Sequence, residues 1–113
     1  MPGHKMGRVT EDIKRELTAI VREMKDPRVS KLLSIVRVEV SGDLSYAKVF
    51  VSAIEGRDKT AESVEGLKAA AGFIRRELGV RLSLRKIPEL RFLGDDSIAH
   101  AADISKKLSD LNL

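Results

Sequence analysis

Residues 33–53 have the sequence LSIVRVEVSGDLSYAKVFVSA, and this stretch predicts a β-hairpin. Valines at alternate positions give its first half one apolar face: Val36, Val38 and Val40. Charged residues stand between these valines, so we expect the strand to bury one face and expose the other. Gly42-Asp43 is typical of a turn, and Tyr46 to Ala53 then alternates again as a second strand. The short connection predicts an antiparallel pair.

Helical periodicity flanks the hairpin on both sides. We expect Thr10 to cap the first helix, because its hydroxyl can accept a hydrogen bond from a free backbone N–H of the first turn. Pro27 disfavours helical geometry in the residue before it, so this helix should end there. Helical spacing returns near Thr60, where Gly72 predicts a kink or break inside the stretch and Gly79 predicts a C-terminal cap.

A third strand and a last helix complete the pattern. An alternating stretch at residues 89–93 predicts the strand, and Asp95-Asp96 offers an N-terminal cap for a helix behind it. Three strands with helices on one face predict a two-layer α+β domain. The expected organisation is a flexible basic arm, one globular domain and a C-terminal helix that is part of it or appended to it, at residues 1–8, 9–94 and 95–113.

Composition narrows the class of protein. The 113 residues fit one domain, and 42% hydrophobic with 34% charged residues is typical of a globular chain. The absence of Cys excludes disulfides, thiolate metal sites and a Cys nucleophile. No apolar run has the length of a membrane span, and no signal-peptide pattern follows Met1, so we predict a cytoplasmic protein with no membrane partner.

Positive charge is concentrated in two blocks. The formal net charge is +4, which by itself only suggests a polyanionic partner. Residues 1–31 carry eight basic and five acidic side chains, and residues 72–91 carry six and two. The chain between and after these blocks is close to neutral or acidic. The distribution therefore favours nucleic-acid contact at two regions.

The sequence offers no catalytic constellation. His4 and His100 lie in different segments, and neither has partners at the spacing of metal ligands. No Gly-rich phosphate-binding loop is present. Asp95-Asp96 could bind Mg²⁺ in principle, but a helix cap explains the pair better. We therefore predict a protein that is not an enzyme and that uses no metal or other cofactor.

Small residues at the expected break form the candidate kink: Ala70, Ala71 and Gly72. They let another backbone approach closely, and a helix beginning there would present N–H groups to a phosphate. Basic residues follow within the second block: Arg75, Arg76, Arg81, Arg85, Lys86 and Arg91. Guanidinium forks suit phosphate oxygens, and Arg8 in the arm is also free to reach one. Spacing alone equally allows tight helix packing beside a solvated basic face.

Two aromatic residues stand on the outer face of the predicted hairpin. Tyr46 and Phe50 flank Lys48 on the second strand. Aromatic rings on a sheet can stack on RNA bases. The chain has only 4% aromatic residues and no RNA-recognition motif, so we expect these rings to pack against the first or the last helix.

Four pieces of the sequence, in fixed order, resemble the ribosome-binding factor A family. The first three are Asp26-Pro27-Arg28, Val38 through Ser52, and Ala70 through Leu78. The fourth begins at Leu84-Arg85, continues through Pro88–Phe92 and ends at Asp95-Asp96-Ser97. The resemblance extends from Arg8 to about Leu108. It implies a type II KH-like fold, in which an Ala-x-Gly kink replaces the Gly-x-x-Gly loop with which ordinary KH domains clamp nucleic acid. Residues 70–72 occupy that place here.

The resemblance also implies a function. Members of this family are RNA-binding assembly factors that bind the free 30S subunit and assist late maturation of 16S rRNA, including processing of its 5′ end. The family also has a role in cold adaptation. By resemblance, the rRNA-facing residues are Arg75, Arg76, Arg85 and Lys86, with Arg8 assisting. We expect a monomer. Two alternatives stay open: a generic single-stranded RNA-binding KH module, and a protein-interaction domain, such as a dimer, that uses the apolar face of the last helix.

Overall fold

The computed structural model describes residues 2–84 and 86–95. Within these residues, helices and strands follow one another in the predicted order. Their bounds are α1 Pro2–Glu23, β1 Leu33–Val40, β2 Tyr46–Ala53, α2 Arg57–Ala69, α3 Ala71–Leu82 and β3 Glu89–Gly94. The α+β class, the hairpin and the interrupted second helical stretch are therefore confirmed.

Strand β2 is the centre of the described sheet, which has the order β1-β2-β3. β1 and β2 pair antiparallel, whereas β2 and β3 pair parallel, with Tyr46 aligned to Glu89 and Val51 to Gly94. Parallel strands cannot be joined by a tight turn, so the chain must cross over between them. Helices α2 and α3 make that crossover, which fixes both ends of the helix pair against the sheet.

The three helices of the described residues pack on one face of the sheet around a single core. Helix α1 contacts β1 and α3, while α2 contacts β2 and β3. The largest fully buried apolar side chains come from every layer: Ile13, Leu17, Ile20, Val49, Val51, Leu67, Ile74, Leu78 and Phe92. Burying one such side chain contributes about 1.5–3 kcal/mol. No helix in the described ranges is both long and apolar enough to cross a bilayer.

The simple alternation expected for β1 is interrupted at Val36. The pairing passes from Ile35 opposite Val51 to Arg37 opposite Phe50, which leaves Val36 as an extra residue in the ladder. Ile35 is therefore buried and Val36 is 41% exposed. The prediction that Val36 lies on the buried face was wrong, because a β-bulge shifts the side-chain phase by one residue.

Helix α1 begins eight residues before the expected cap. The prediction of an N-cap at Thr10 was wrong, since the helix already runs from Pro2. Proline is well accommodated in the first turn of a helix, and the residues after it include good helix formers such as Lys5 and Met6. Residues 2–8, expected as an arm, thus continue α1, and their flexibility stays a prediction.

Helix α3 also continues past its expected end. Gly79, predicted as the cap, lies inside the helix, and Ser83 takes the left-handed conformation instead (φ 51°), with its N–H donating to the Gly79 carbonyl at 2.9 Å. A Cβ on Gly79 would lie 3.0 Å from Ile87 Cδ1. The glycine is needed for close packing rather than for a turn.

The predicted C-terminal helix lies outside the described residues, apart from Asp95. The backbone N–H of Asp95 donates to the Val51 carbonyl at 2.7 Å, which extends the β2–β3 pairing by one bond. Its expected role as a helix cap, and the division of the chain at residue 95, stay predictions.

Candidate nucleic-acid interface

A single residue separates helices α2 and α3. Ala70 has φ −98° and ψ 9°, a conformation outside the helical region, and its N–H is shared between the carbonyls of Gly66 (3.2 Å) and Leu67 (3.1 Å). The Ala70 carbonyl accepts the first hydrogen bond of α3, from Ile74 N–H at 2.9 Å. Ala70 and Ala71 both pack against the core. Ala70 is therefore hydrogen-bonded to both helices, and the kink is held against the core from one side.

Gly72 occupies the open side of this kink. It is exposed, and a Cβ built on it would have no atom of residues 2–84 or 86–95 within 4 Å. A glycine inside a helix costs about 1 kcal/mol relative to alanine. Nothing in the described fold requires this glycine, so the first turn of α3 leaves its backbone open to a partner.

The two sides of α3 have opposite character. Ile74 and Leu78 are completely buried, whereas Phe73 is 50% and Val80 is 73% exposed. Arg76 lies between the two exposed apolar residues on the helix surface, at the i,i+3 and i,i+4 spacings that bring side chains together. Arg76 is itself exposed and has no hydrogen-bond or ion-pair partner among the described residues.

Arg75 and Lys86 lie at one surface but are partly engaged within the chain. The Arg75 guanidinium donates from Nε and Nη2 to the Ile87 carbonyl, at 3.2 and 2.7 Å. Lys86 Nζ donates to the Asp43 carbonyl at 3.3 Å. These bonds tie the segment before β3 to α3 and to the hairpin turn. Both cations keep donors free, because a guanidinium has five N–H groups and an ammonium has three.

Arg81 serves an intramolecular role instead. Its guanidinium is 2.8 Å from Glu23 Oε2, and it also approaches Glu16 and Glu77 at 3.8 Å. The hydrogen bond with Glu23 is the main reason that the pKa of Arg81 is raised. Arg81 therefore joins α3 to α1, and its charge is balanced locally.

The remaining predicted residues are not brought into this group. Arg8 is exposed on α1, and no contact within residues 2–84 and 86–95 links it to Arg75, Arg76 or Lys86. Arg85 lies outside the described residues. Among the described basic residues of the 72–91 block, only Arg76 has no partner, so it is the most available cation beside the kink.

The outer face of the sheet carries two stacked pairs. The Arg37 guanidinium lies 4.1 Å from the centre of the Phe50 ring, and that of Arg91 lies 4.2 Å from the centre of the Tyr46 ring. Helix α1 packs on the opposite, buried face. The expectation that these rings pack against the first helix was wrong, and packing against the last helix lies outside the described residues.

The sequence predicted that Pro27 ends the first helix, but it gave no role to the side chains of Asp26 and Arg28 beyond family resemblance. Arg28 donates from Nη2 to Asp26 Oδ2 (2.8 Å) and from Nε to Oδ1 (3.2 Å), and its backbone N–H donates to Oδ1 at 2.9 Å. These bonds lower the pKa of the Asp26 carboxyl. Lys59 Nζ donates to the Pro27 carbonyl at 2.9 Å. The motif thus closes the turn between α1 and β1.

Metal-binding chemistry has no visible basis in this region. In the part of the chain that the structure describes, no three His, Asp or Glu side chains gather where they could hold a metal ion. The arrangement beside the kink can instead offer an open helix turn, an exposed ring and cations. These groups suit a polyanion with apolar faces, which is the chemistry of RNA.

A three-stranded sheet, helices on one face and two helices joined by a tight kink define a type II KH-like domain. The model of the family described as ribosome-binding factor A matches residues 5–108, and the chain belongs to this family. Ribosome-binding factor A from Acetivibrio thermocellus is 52% identical over 104 residues, which are 91% of this chain and 85% of that relative.

Solved structures agree with this assignment. The crystal structure of ribosome-binding factor A from Thermus thermophilus has a TM-score of 0.70 at 27% identity, covering 78% of this chain and 92% of that one. A homology model of the Thermus thermophilus factor, fitted into a cryo-electron-microscopy map of its complex with 30S, has a TM-score of 0.67 at 27% identity. That match covers 79% of this chain and 93% of the other.

Proposed function

We propose that this protein binds the free 30S small ribosomal subunit and assists the late maturation of 16S rRNA, including processing of its 5′ end. The observation that carries the proposal is family membership together with the 30S complex of the Thermus thermophilus relative. The protein acts as a cytoplasmic monomer without catalysis, and it contributes to growth in the cold.

The proposed rRNA-facing surface is the solvent side of the kink and of α3. Arg76 has the freest guanidinium there, and Arg75 and Lys86 keep donors available beyond their bonds to Ile87 and Asp43. Arg85 and Arg8 complete the proposed set. Phosphate contacts of this kind supply affinity and release counterions. A kink held rigidly against the core adds shape selection, so binding favours one arrangement of immature rRNA over others.

The test is sedimentation of the protein with free 30S subunits and with assembled 70S ribosomes at several salt concentrations. We expect co-migration with 30S only. Arg76→Glu should weaken this binding by about tenfold or more, because a charge-assisted hydrogen bond is lost and a repulsion is added. The slope of log affinity against log salt should fall by about one.

Lys31→Glu is the matched control. Lys31 is exposed before β1 and has no ion-pair partner within the described residues. Its substitution therefore changes the net charge of the protein by the same amount as Arg76→Glu, but outside the proposed surface. Equal losses in the two variants would show a non-specific effect of net charge. Equal binding of wild-type protein to 30S, 70S and a short unstructured RNA would instead favour the generic RNA-binding module.

A further inference from the structure

Phe73 stands apart from the other aromatic residues of the chain. The sequence has three Phe, one Tyr and no Trp. Phe92 is in the core at 1% exposure, while the rings of Phe50 and Tyr46 each lie under a guanidinium. Within the described part of the chain, Phe73 is the one ring that neither lies in the core nor carries a cation. Phe73 is half exposed, and it belongs neither to the buried core cluster nor to the residues packed against that cluster.

The surroundings of Phe73 point to a nucleotide. Gly72 before it has no side chain, and a Cβ built there would meet no atom of the described residues within 4 Å, so the backbone beside Phe73 is open. Arg76 follows one turn later and has no acidic partner among the described residues. Side chains at this spacing have Cβ atoms about 5–6 Å apart, which lets a ring hold a base while the guanidinium holds a nearby phosphate. The only acidic residue of α3, Glu77, faces Arg81 instead.

We propose that Phe73 is a stacking platform for one unpaired base of ribosomal RNA, with Arg76 binding an adjacent phosphate. This inference rests on the proposed function and specifies the chemistry of that same surface. The base is unpaired because a base within a duplex has both faces covered by its neighbours, whereas single-stranded segments can turn a base onto an aromatic side chain. Stacking requires only the π face of a base, so the Phe73 ring can accept any of the four bases that the RNA places against it.

The first experiment compares 30S binding of Phe73→Ala, Phe73→Leu, Phe73→Trp and the control Ile54→Ala at fixed salt. Loss of a stacked ring weakens binding by about 5- to 150-fold, so both the Ala and the Leu variants should lose affinity while Trp retains it. Ile54→Ala removes an apolar group that is 76% exposed in the turn between β2 and α2, outside the proposed surface, and should change affinity by less than about twofold. Urea midpoints close to that of the wild type would confirm that each variant folds.

Two outcomes of this series would overturn the inference. If Phe73→Leu binds like the wild type, the contact is an aliphatic one, as with a ribosomal protein. If Phe73→Ala binds like the wild type while Arg76→Glu does not, the proposed function stands and the stacking role falls. Absence of 30S binding by the wild-type protein would remove the proposed function and, with it, this contact.

The second experiment uses the fluorescence of the Phe73→Trp variant, whose indole is unique because the natural chain has no Trp. The free variant should emit as a solvated indole, and addition of 30S subunits should quench it through a stacked base. A blue-shifted emission in the free protein would overturn the proposal. If that shift is independent of protein concentration, another segment of the chain covers the site; if it disappears on dilution, a second copy does. A blue shift without quenching on 30S binding would indicate a protein contact.

Discussion

Gly66 of helix α2 lies directly against Val29 of the turn between α1 and β1. A Cβ built on Gly66 would be 2.8 Å from Val29 Cγ2 and 3.3 Å from the Cβ of Arg28. The turn cannot easily move away, because Arg28 is bound to Asp26 by three hydrogen bonds and Lys59 holds the Pro27 carbonyl. Close approach of α2 to this turn is therefore a condition of the fold.

Gly66→Ala should destabilise the protein by about 1–3 kcal/mol, the range for overpacking a closed site. The loss comes from displacing Val29, which is buried with only 7% of its surface exposed. Urea unfolding gives the free energy of unfolding for this variant. An unchanged value would mean that the turn is softer than its hydrogen bonds indicate.

Gly72→Ala should have the opposite effect on stability. The added methyl group meets no atom within 4 Å, and alanine is favoured over glycine inside a helix by about 1 kcal/mol. We expect a gain of about 0.5–1 kcal/mol in urea unfolding and, at the same time, weaker binding to 30S subunits. A variant that is more stable and binds equally well would show that no partner approaches the backbone at residue 72.

Val36→Ala and Val38→Ala form a matched pair that tests the bulge in β1. Val36 is 41% exposed and Val38 only 7%, although both were expected on one face. Val36→Ala should change the free energy of unfolding by less than about 0.5 kcal/mol, whereas Val38→Ala should lower it by about 1–3 kcal/mol. Similar decreases in the free energy of unfolding of the two variants would indicate that both valines are buried and that β1 alternates without a bulge.

Asp43 makes acid stability depend on the hairpin turn. Its carboxylate accepts hydrogen bonds from the Ser45 hydroxyl (2.7 Å), the Ser45 N–H (3.1 Å) and the Ser41 hydroxyl (2.9 Å), which lower its pKa from 3.8 to about 2. Because the pKa of Asp43 is lower in the folded protein than in the unfolded chain, its charge stabilises the folded protein at pH values above the unfolded-state pKa. That contribution is lost as the pH falls from 3.8 through about 2.

Asp43→Asn should therefore be less stable than the wild type near neutral pH, and the difference should shrink across this acid window. The substitution keeps the shape of the side chain and one oxygen that can accept the three hydrogen bonds, but it removes the charge and replaces the other oxygen with an NH₂ group. Urea midpoints of the two proteins across the pH range provide the measurement. Curves that stay parallel down to the lower end of the window would contradict the role of the charge.

Periodicity predicted most of the fold because the core is built from regular stripes. The alternation in β2 and the helical spacing of Ile13 and Leu17 both correspond to buried faces. The bulge at Val36 could not be predicted, because valine suits either face and only the pairing with β2 decides its phase. The start of α1 was missed because Thr10 has the chemistry of a cap in a segment whose upstream residues also favour helix.

The position of the kink was predicted from the sequence, whereas the residues that bind RNA stay a prediction. Small residues and a glycine located the kink, and the structure confirms it at Ala70, between the last residue of α2 and the first of α3. Charge alone could not separate Arg76 from Arg75 and Arg81, because their intramolecular partners come from distant parts of the chain. Phe73 gave no signal in the sequence, since an aromatic residue beside a buried stripe is ordinarily part of the core.

The parallel pairing of β3 with β2 decides when the proposed binding surface can form during synthesis. In a nascent chain that ends before Glu89, β2 lacks one of its two neighbouring strands, and Arg75 lacks the fixed carbonyl of Ile87. Pairings between strands that are far apart in the sequence form slowly, and in a small domain they form together with the rest of the fold in one cooperative step. An unfinished copy therefore carries the charges of the proposed surface without their arrangement, and we expect only the folded domain to present that surface.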